Sequence, residues 1–525
     1  MSPGLYKKIG VASAIMMVSV FLSRVIGLFR EMAIAFAGGA GGDVDAYQIA
    51  FVIPEILNHI AASGFLSITF IPIFSNYLAN NKEEEGWRVF SLIMTCFGAF
   101  LILFIIAAMI LAPELVSVIA PGLRDPVIFS KAVRMTRIIL PAQFFFFSGG
   151  LFMAVQFAKE RFFVPALAPL LYNLGIIAGG MLLGPCIGME AFSWGVLGGA
   201  FIGNFALQYI GAKKAGMKYK ISFDFRHPDF KKYVFLTLPL MFGLTMTFST
   251  EFFLKFFGSF MPGGSIAALN YGLRIMFIMV GLFGQAVGTA AYPFMARLAA
   301  ENRLEEMNRL LNDTLRGLSV VVPFSVLAMV LRHEIVLIIF QRGRFDAAAT
   351  ELTSGILVFL LAGTFAFAAQ TVVVRGFYAM QNTLFPAVFG TMAVLVSVPI
   401  YYYGMGVMGV NGIALALSLS AFIQVVILYA LWNKRSSNVY SREVYLFFVK
   451  ICLLSAVMGV LFEWFKGKFL DGFDVTAFSG SVLMAAFLSA SFAVVFISAG
   501  YTFRIKEITD IADRLAGRLK KTTLF

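Results

Sequence analysis

A short set of ionisable side chains stands inside stretches that are otherwise apolar: Arg24, Arg30, Glu31, Glu55, His59, Glu251, Lys255 and Arg274. A charged group at membrane depth costs about 2.5–3.5 kcal/mol even on lenient insertion scales, so each needs a polar place to face. In the stretch 18–45, Arg24 and Glu31 lie seven residues apart and share a helical face, whereas Arg30 lies well round from both. Such a helix cannot turn only apolar faces to lipid. It must line a water-filled cavity. Glu55 and His59 are four apart just after Pro54, and Glu251 and Lys255 are four apart within TFSTEFFLKFFGSF.

Four basic groups (Arg24, Arg30, Lys255, Arg274) stand against three acids (Glu31, Glu55, Glu251), so pairing cannot neutralise the set. Excess positive charge in a hydrated, low-dielectric cleft suits an anion such as phosphate or diphosphate, which arginine grips bidentately. The plainer reading is that Glu251 with Lys255, and Glu31 with Arg24 or Arg30, only make these charges tolerable in lipid. His59 is either a proton relay or a satisfied structural group. Asp43 and Asp45 close a glycine-rich turn, and either cap the next helix or gate the outer mouth by pairing across helix bundles.

No catalytic constellation accompanies these groups. There is no aspartate-rich magnesium motif, no HExxH, no GxSxG and no GxxxxGK[ST] loop, so neither an enzyme nor an ATP-driven motor is expected. No cofactor or metal is expected either, because Cys96, Cys186 and Cys452 lack ligand spacing.

The scaffold that positions the charged set must cross a membrane. Of 525 residues, 60% are hydrophobic and 13% charged, against about 25% charged in soluble domains. Fourteen spans are predicted, at 10–36, 46–78, 88–111, 131–156, 163–184, 190–212, 232–259, 266–297, 312–331, 350–377, 383–403, 409–432, 444–465 and 477–502. The first run is too long for a signal-peptide core and reads as a retained span. Net charge is +13, and the excess sits in short loops, where it sets orientation and does not signal nucleic acid. Lys213, Lys214, Lys218, Lys220, Arg226, Lys231 and Lys232 lie between spans 6 and 7. The loops after spans 1, 5, 7 and 11 hold no Lys or Arg, which puts both termini in the cytoplasm. Arg332, Arg342 and Arg344, after span 9, are the exception.

An internal repeat organises the spans. IPIFSNYLANNKEEE (71–85) aligns without gaps on YPFMARLAAENRLEE (292–306), and FVPA (163–166) on LFPA (384–387), both at an offset of 221. Six spans separate the copies, which gives two parallel six-helix repeats, spans 1–6 and 7–12, with spans 13 and 14 appended. The expected division is a bundle at 1–213, a basic cytoplasmic linker at 214–231, a second bundle at 232–433, the added helices at 444–502 and a tail at 503–525. In the tail, Ile508, Ile511, Leu515 and Leu519 share one helical face among basic residues, as in a helix lying on anionic lipid. The charged set falls in the first two helices of each repeat and would converge between the bundles, where repeat-built transporters bind substrate.

SRVIGLFRE (23–31), the glycine-rich turn ending in DVDAY (43–47), FIPIFSNYL (70–78), NYGLRIM (270–276), GTAAYPFMARLA (288–299), FQRGRF (340–345) and RGFYAMQNTLFP (375–386) resemble the MviN/MurJ family of lipid II flippases. That family lies within the multidrug/oligosaccharidyl-lipid/polysaccharide exporter superfamily. The resemblance implies an all-α, fourteen-helix protein of the bacterial inner membrane with a V-shaped cavity between its repeats. It implies alternating access, export of lipid-linked peptidoglycan precursor, and a monomer among membrane lipids. It makes Arg24, Arg30, Glu31, Asp45 and Arg274 the functional charges, with Lys255 where relatives often carry arginine. Relatives also carry an arginine in span 2; here Asn58 or His59 stands in its place, and Glu55 and Glu251 read as local compensations. On this likeness Arg30, Lys255 and Arg24 hold a diphosphate while the polyprenyl tail follows a groove beside spans 13 and 14. The nearest rivals are a flippase for another polyprenyl-linked saccharide of O-antigen type and, further off, a drug/cation antiporter, whose cationic substrates a net-basic cavity disfavours. A membrane-bound transferase would need the acidic metal motif that is missing. A scaffold would not need Arg24 and Arg30 inside a span.

Overall fold

A computed structural model describes residues 3–61, 69–242, 245–469, 478–505, 507–509 and 513. The described elements are all helices: α1 Pro3–Gly38, α2 Gly42–Ala50, α3 Val52–Ala61, α4 Ile71–Ala79, α5 Glu83–Ile110, α6 Ala112–Ile119, α7 Pro126–Ile139 and α8 Ala142–Ala158. Next come α9 Phe163–Ile187, α10 Glu190–Gly199, α11 Leu207–Lys214, α12 Pro228–Phe242, α13 Thr245–Gly258, α14 Ser265–Val280 and α15 Ala286–Ala300. The chain ends with α16 Leu304–Leu318, α17 Val321–Val330, α18 Arg332–Phe340, α19 Ala347–Ala362, α20 Thr364–Ala379, α21 Leu384–Ser436, α22 Ser441–Phe469 and α23 Phe478–Thr502. Among the described residues nine helices are long and apolar enough to cross a membrane, or ten if α19 and α20, bent by 41°, form one span. The chain is an all-helical, multi-pass membrane protein. Its contacts divide it into two compact units, Met1–Ala267 with Arg342–Asp346, and Ala268–Gln341 with Ala347–Phe525.

Local chemistry sets the helix ends of the first unit. Asp125 accepts from the N–H groups of Val127 (2.8 Å) and Ile128 (3.3 Å), and Pro126 occupies the first helical position, where no N–H is required. Glu83, Glu84 and Glu85 open α5 at its positive end. Lys159 donates to Glu83 and holds its carboxyl below the usual range, while lying 5.2 Å over the Trp87 ring. Two polar ties join α1 to α9 in parallel: Ser19 donates to the carbonyl of Ala166, and further along Arg30 donates to Asn173. On its other side α9 meets α10 through glycine. A Cβ on Gly175 would lie 2.4 Å from Gly199 Cα, and one on Gly179 would lie 2.4 Å from Gly195 Cα. The small-residue stripe lets two backbones touch where no water exists to be expelled.

The backbone turns left-handed at fixed intervals. Asn81 and Asn302, Glu160 and Gln381, Gly188 and Gly409, and Gly216 and Ser437 all have positive φ, and the members of each pair are 221 residues apart. Helix starts keep the same interval, Glu83 with Leu304 and Phe163 with Leu384. Gly188 (φ 63°, ψ −143°) separates α9 from α10, and Gly409 (φ 57°, ψ −131°) breaks α21 into two helices. Glycine reaches these angles without a Cβ clash.

In the second unit α16 is fastened to the end of α21 by a buried polar network. Trp432 and Ser436 donate to the Asn308 carbonyl oxygen at 2.9 and 2.8 Å, and Tyr429 and Asn438 donate to that of Asn312 at 2.7 and 2.9 Å. Ion pairs Arg332–Glu463 (2.7 Å) and Lys466–Glu334 (2.8 Å) tie α18 to α22. Arg332, one of the three arginines at odds with the charge rule, is therefore neutralised locally. In the tail Ile508 is buried near Gly500, whereas Ile511, Leu515 and Leu519 lie outside the described residues.

The α9–α10 contact predicts a sharp positional effect. Gly179→Val is expected to lower stability by about 1–3 kcal/mol through overpacking and to depress the thermal unfolding midpoint in detergent by several degrees. Gly184→Ala, on the same helix with open space around it, is expected to leave the midpoint unchanged.

Candidate functional site

α1 carries Arg24 exposed, Arg30 half-buried and Glu31 buried. Adjacent residues on a helix do not face each other, yet the long Arg30 side chain curls back so that one guanidinium N–H group donates to Glu31 at 2.6 Å. Another donates to the Asn173 side-chain oxygen on α9 at 2.9 Å. Asn173 is itself oriented, because its amide nitrogen donates to the Pro169 carbonyl one turn earlier at 2.9 Å. The guanidinium plane is thus fixed from two helices. Tyr172 lies within electrostatic range of both Arg30 and Glu55. Asn173 and Tyr172 were missed in the sequence because neither is charged; a polar amide within the apolar run of span 5 was the available signal.

Lys255 on α13 is almost wholly buried, with 2% side-chain exposure, and lies between two carboxylates. Glu251, one turn back on the same helix, accepts a hydrogen bond from it at 2.9 Å, and Glu55 on α3 is 3.9 Å away. The sequence pairing of Glu251 with Lys255 is present, and Glu55 joins it. Asn58 is half-buried on α3, and the His59 side chain lies outside the described residues. Arg274 is half-buried on α14 in the second unit. Within the first unit the charged set comprises three basic groups (Arg24, Arg30, Lys255) and three acids (Glu31, Glu55, Glu251). The positive excess read from the sequence therefore depends on Arg274.

At the far end of α1 the two aspartates diverge. Asp43 forms an ion pair with Lys131 of α7 at 2.6 Å. Asp45 is buried and accepts from the backbone N–H groups of Gly264 (2.6 Å) and Ala267 (2.7 Å), the residues that begin α14. It caps that helix and not its own, whose N-cap is Gly41. The segment Arg342–Asp346 also lies here, with the Arg344 N–H donating to the Phe36 carbonyl at 2.9 Å. Asp45, Gly122, Arg124, Asp125 and Ser259 line a cavity of about 690 Å³ beside the cap.

The arrangement can orient and exchange charge, but offers no nucleophile poised beside a base. Its energetics predict a non-additive pair. Glu55→Gln or Glu251→Gln alone leaves Lys255 one carboxylate, and folded yield is expected to fall less than twofold. The double variant takes both of these carboxylates away from a buried ammonium, a loss of about 3–5 kcal/mol, so size-exclusion chromatography is expected to show loss of most monodisperse protein.

The family described as Lipid II flippase MurJ matches residues 33–484. The chain is 27% identical over 447 residues to a probable lipid II flippase MurJ of Buchnera aphidicola, covering 84% of this chain and 86% of that one. It is 27% identical over 451 residues to the lipid II flippase MurJ of Burkholderia cenocepacia, covering 84% and 87%. Its fold is similar to a solved lipid II flippase MurJ in an inward closed conformation, with TM-score 0.74, 23% identity, and coverage of 92% of this chain and 99% of that one. It is also similar to an inward-facing multidrug resistance MATE family transporter, with TM-score 0.66, 12% identity, and coverage of 80% and 98%. Matched across most of its length, this chain belongs to the MurJ family of lipid II flippases, which are transporters and not enzymes.

Proposed function

We propose that this protein moves lipid II from the inner to the outer leaflet of the bacterial cytoplasmic membrane by alternating access, with both termini cytoplasmic. Family membership carries the substrate class. The observation that carries the site is Arg30: its guanidinium is fixed by Glu31 and Asn173, yet the side chain keeps 22% exposure. A pre-oriented fork of this kind suits a diphosphate. Lys255 is closed off by Glu55 and Glu251 in this state, so it meets the substrate only by exchanging partners. Arg24 and Arg274 supply further positive charge, and Asn58 or His59 stands in span 2 where relatives carry an arginine. Asp43 and Asp45 hold the outer end.

Fourteen spans in two six-helix repeats remain the favoured plan. The break at Gly409 makes two spans of α21, and helical stretches within 42–79, 190–214 and 228–258 add three to the ten apolar candidates. The 221-residue interval between left-handed positions supports parallel repeats. An apolar cavity of about 190 Å³ lined by Val322, Val326, Phe365, Phe448, Cys452 and Ala456 lies beside α22 and suits part of a polyprenyl tail. Export of an anionic head group from a negative-inside cell is downhill by roughly 2.3 kcal/mol per charge per 100 mV, so membrane potential can assist.

The test is flipping of fluorescent lipid II in proteoliposomes. Arg30→Ala at unchanged expression is expected to slow flipping at least tenfold, in line with about 1.5–3 kcal/mol for hydrogen bonds to a charged group. Arg30→Lys is expected to recover only part of it. Full activity of Arg30→Ala would refute the anion grip. Movement of an O-antigen-type lipid but not lipid II would refute the substrate.

A further inference from the structure

The segment between α11 and α12 is not helical over 217–224, and it lies along α5. Lys218 pairs with Glu84 at the start of α5. The Lys220 N–H donates to the Ser91 hydroxyl at 3.1 Å, the Tyr219 hydroxyl meets that of Thr95 at 3.1 Å, and Phe230 (tilted) and Tyr233 (edge-on) pack against Phe97. These contacts lie along α5 from Glu84 to Phe97. With 28 residues at 1.5 Å each, α5 is about 42 Å long against a hydrocarbon core of about 30 Å, so roughly two turns project from the bilayer. Its charged start, ending at Arg88, is the projecting part, and Ser91–Thr95 marks the membrane boundary.

At that boundary the segment alternates. Ile221 (74% exposed), Phe223 (61%) and Phe225 (62%) recur at every second position, the spacing that would put them on one face of an extended segment. Lys220, Ser222, Asp224 and Arg226 occupy the other positions. Among the described residues no acidic side chain lies within ion-pair distance of Lys220 or Arg226, whereas Lys218 is taken by Glu84. The second unit shows what this place on the scaffold borders. Its residues 221 positions on, Tyr440 and Glu443, pack on Arg309 and Arg316 of α16, and there the chain continues as α22, a helix long and apolar enough to cross a membrane.

We propose that residues 217–226 form an interfacial strap in the cytoplasmic leaflet, with Ile221, Phe223 and Phe225 in the acyl region and Lys220 and Arg226 on acidic phospholipid head groups. Non-helical backbone is tolerated at this depth because α5 hydroxyls meet its polar groups and the head-group region hydrates the rest. The strap rests on the cytoplasmic assignment of the linker, not on the identity of the cargo.

The test uses the full chain carrying C96S, C186S and C452S, with single nitroxide-labelled cysteines at positions 220–226, in phosphatidylethanolamine vesicles with or without phosphatidylglycerol. Ile221→Cys, Phe223→Cys and Phe225→Cys are expected to be at least threefold more accessible to oxygen, relative to a nickel chelate, than Lys220→Cys, Ser222→Cys and Asp224→Cys. Uniform access to the nickel chelate would overturn the strap as a solvated loop. Omitting phosphatidylglycerol is expected to raise nickel access at position 223 at least twofold, and K220E/R226E to abolish that response. An identical response in K220E/R226E would overturn the head-group contact. Because the readout needs no transport, either failure leaves the flippase assignment standing.

Discussion

Placing a guanidinium or an ammonium where water is scarce requires an acid, an amide or a cavity beside it, and that requirement shapes the first unit. Arg30 recruits Glu31 from its own helix and Asn173 from α9. Lys255 recruits Glu251 from its own helix and Glu55 from α3. Helices brought together by such ties cannot slide independently, because any register shift strands a charge at a cost of several kcal/mol. The glycine contact of α9 with α10 depends on the same fixity: Gly179 faces Gly195 only at one register. Polar ties set the register, and close packing then exploits it.

The class of protein was legible in composition, and the repeat in two short matches at one offset. The backbone carries that offset further than the side chains do. Gly216 and Ser437 share no obvious chemistry, yet both turn left-handed at equivalent places. Turn geometry tolerates several residue types, so sequence similarity fades while conformation persists. The charged pairs were legible too, since i,i+4 spacing announces Glu251 with Lys255. The third member, Glu55, was not, because it comes from 200 positions earlier and only packing brings it near. Asn173 was hidden for a different reason: an amide carries no charge to mark it. Asp45 was read as a cap for the next helix or as a gate at the outer mouth; its carboxylate instead accepts from the backbone at the start of a helix about 220 residues on. Side-chain chemistry names the job and leaves the address to the fold.

Repetition of the backbone does not extend to the charges. Arg30 has Glu251 at its equivalent position, Glu31 has Phe252, and Lys255 has Ile34. One helical site thus carries opposite sign in the two copies, and the other two carry a charge in one copy and an apolar side chain in the other. The likeness to a MATE-family transporter at 12% identity makes the related point that this backbone plan is separable from any one set of side chains. A repeated scaffold gives two copies of the same turn geometry, whereas unlike charges at equivalent sites mean that the copies do not present the same chemistry. On the proposed function, an anionic head group would compete with Glu31 for Arg30 and with Glu55 and Glu251 for Lys255. Each carboxylate it displaced would have to find new company, by hydration or by a further shift of its helix. Binding would then favour a second arrangement only to the extent that those acids are better satisfied there, and this differential is what a charge-exchanging site would contribute to alternating access.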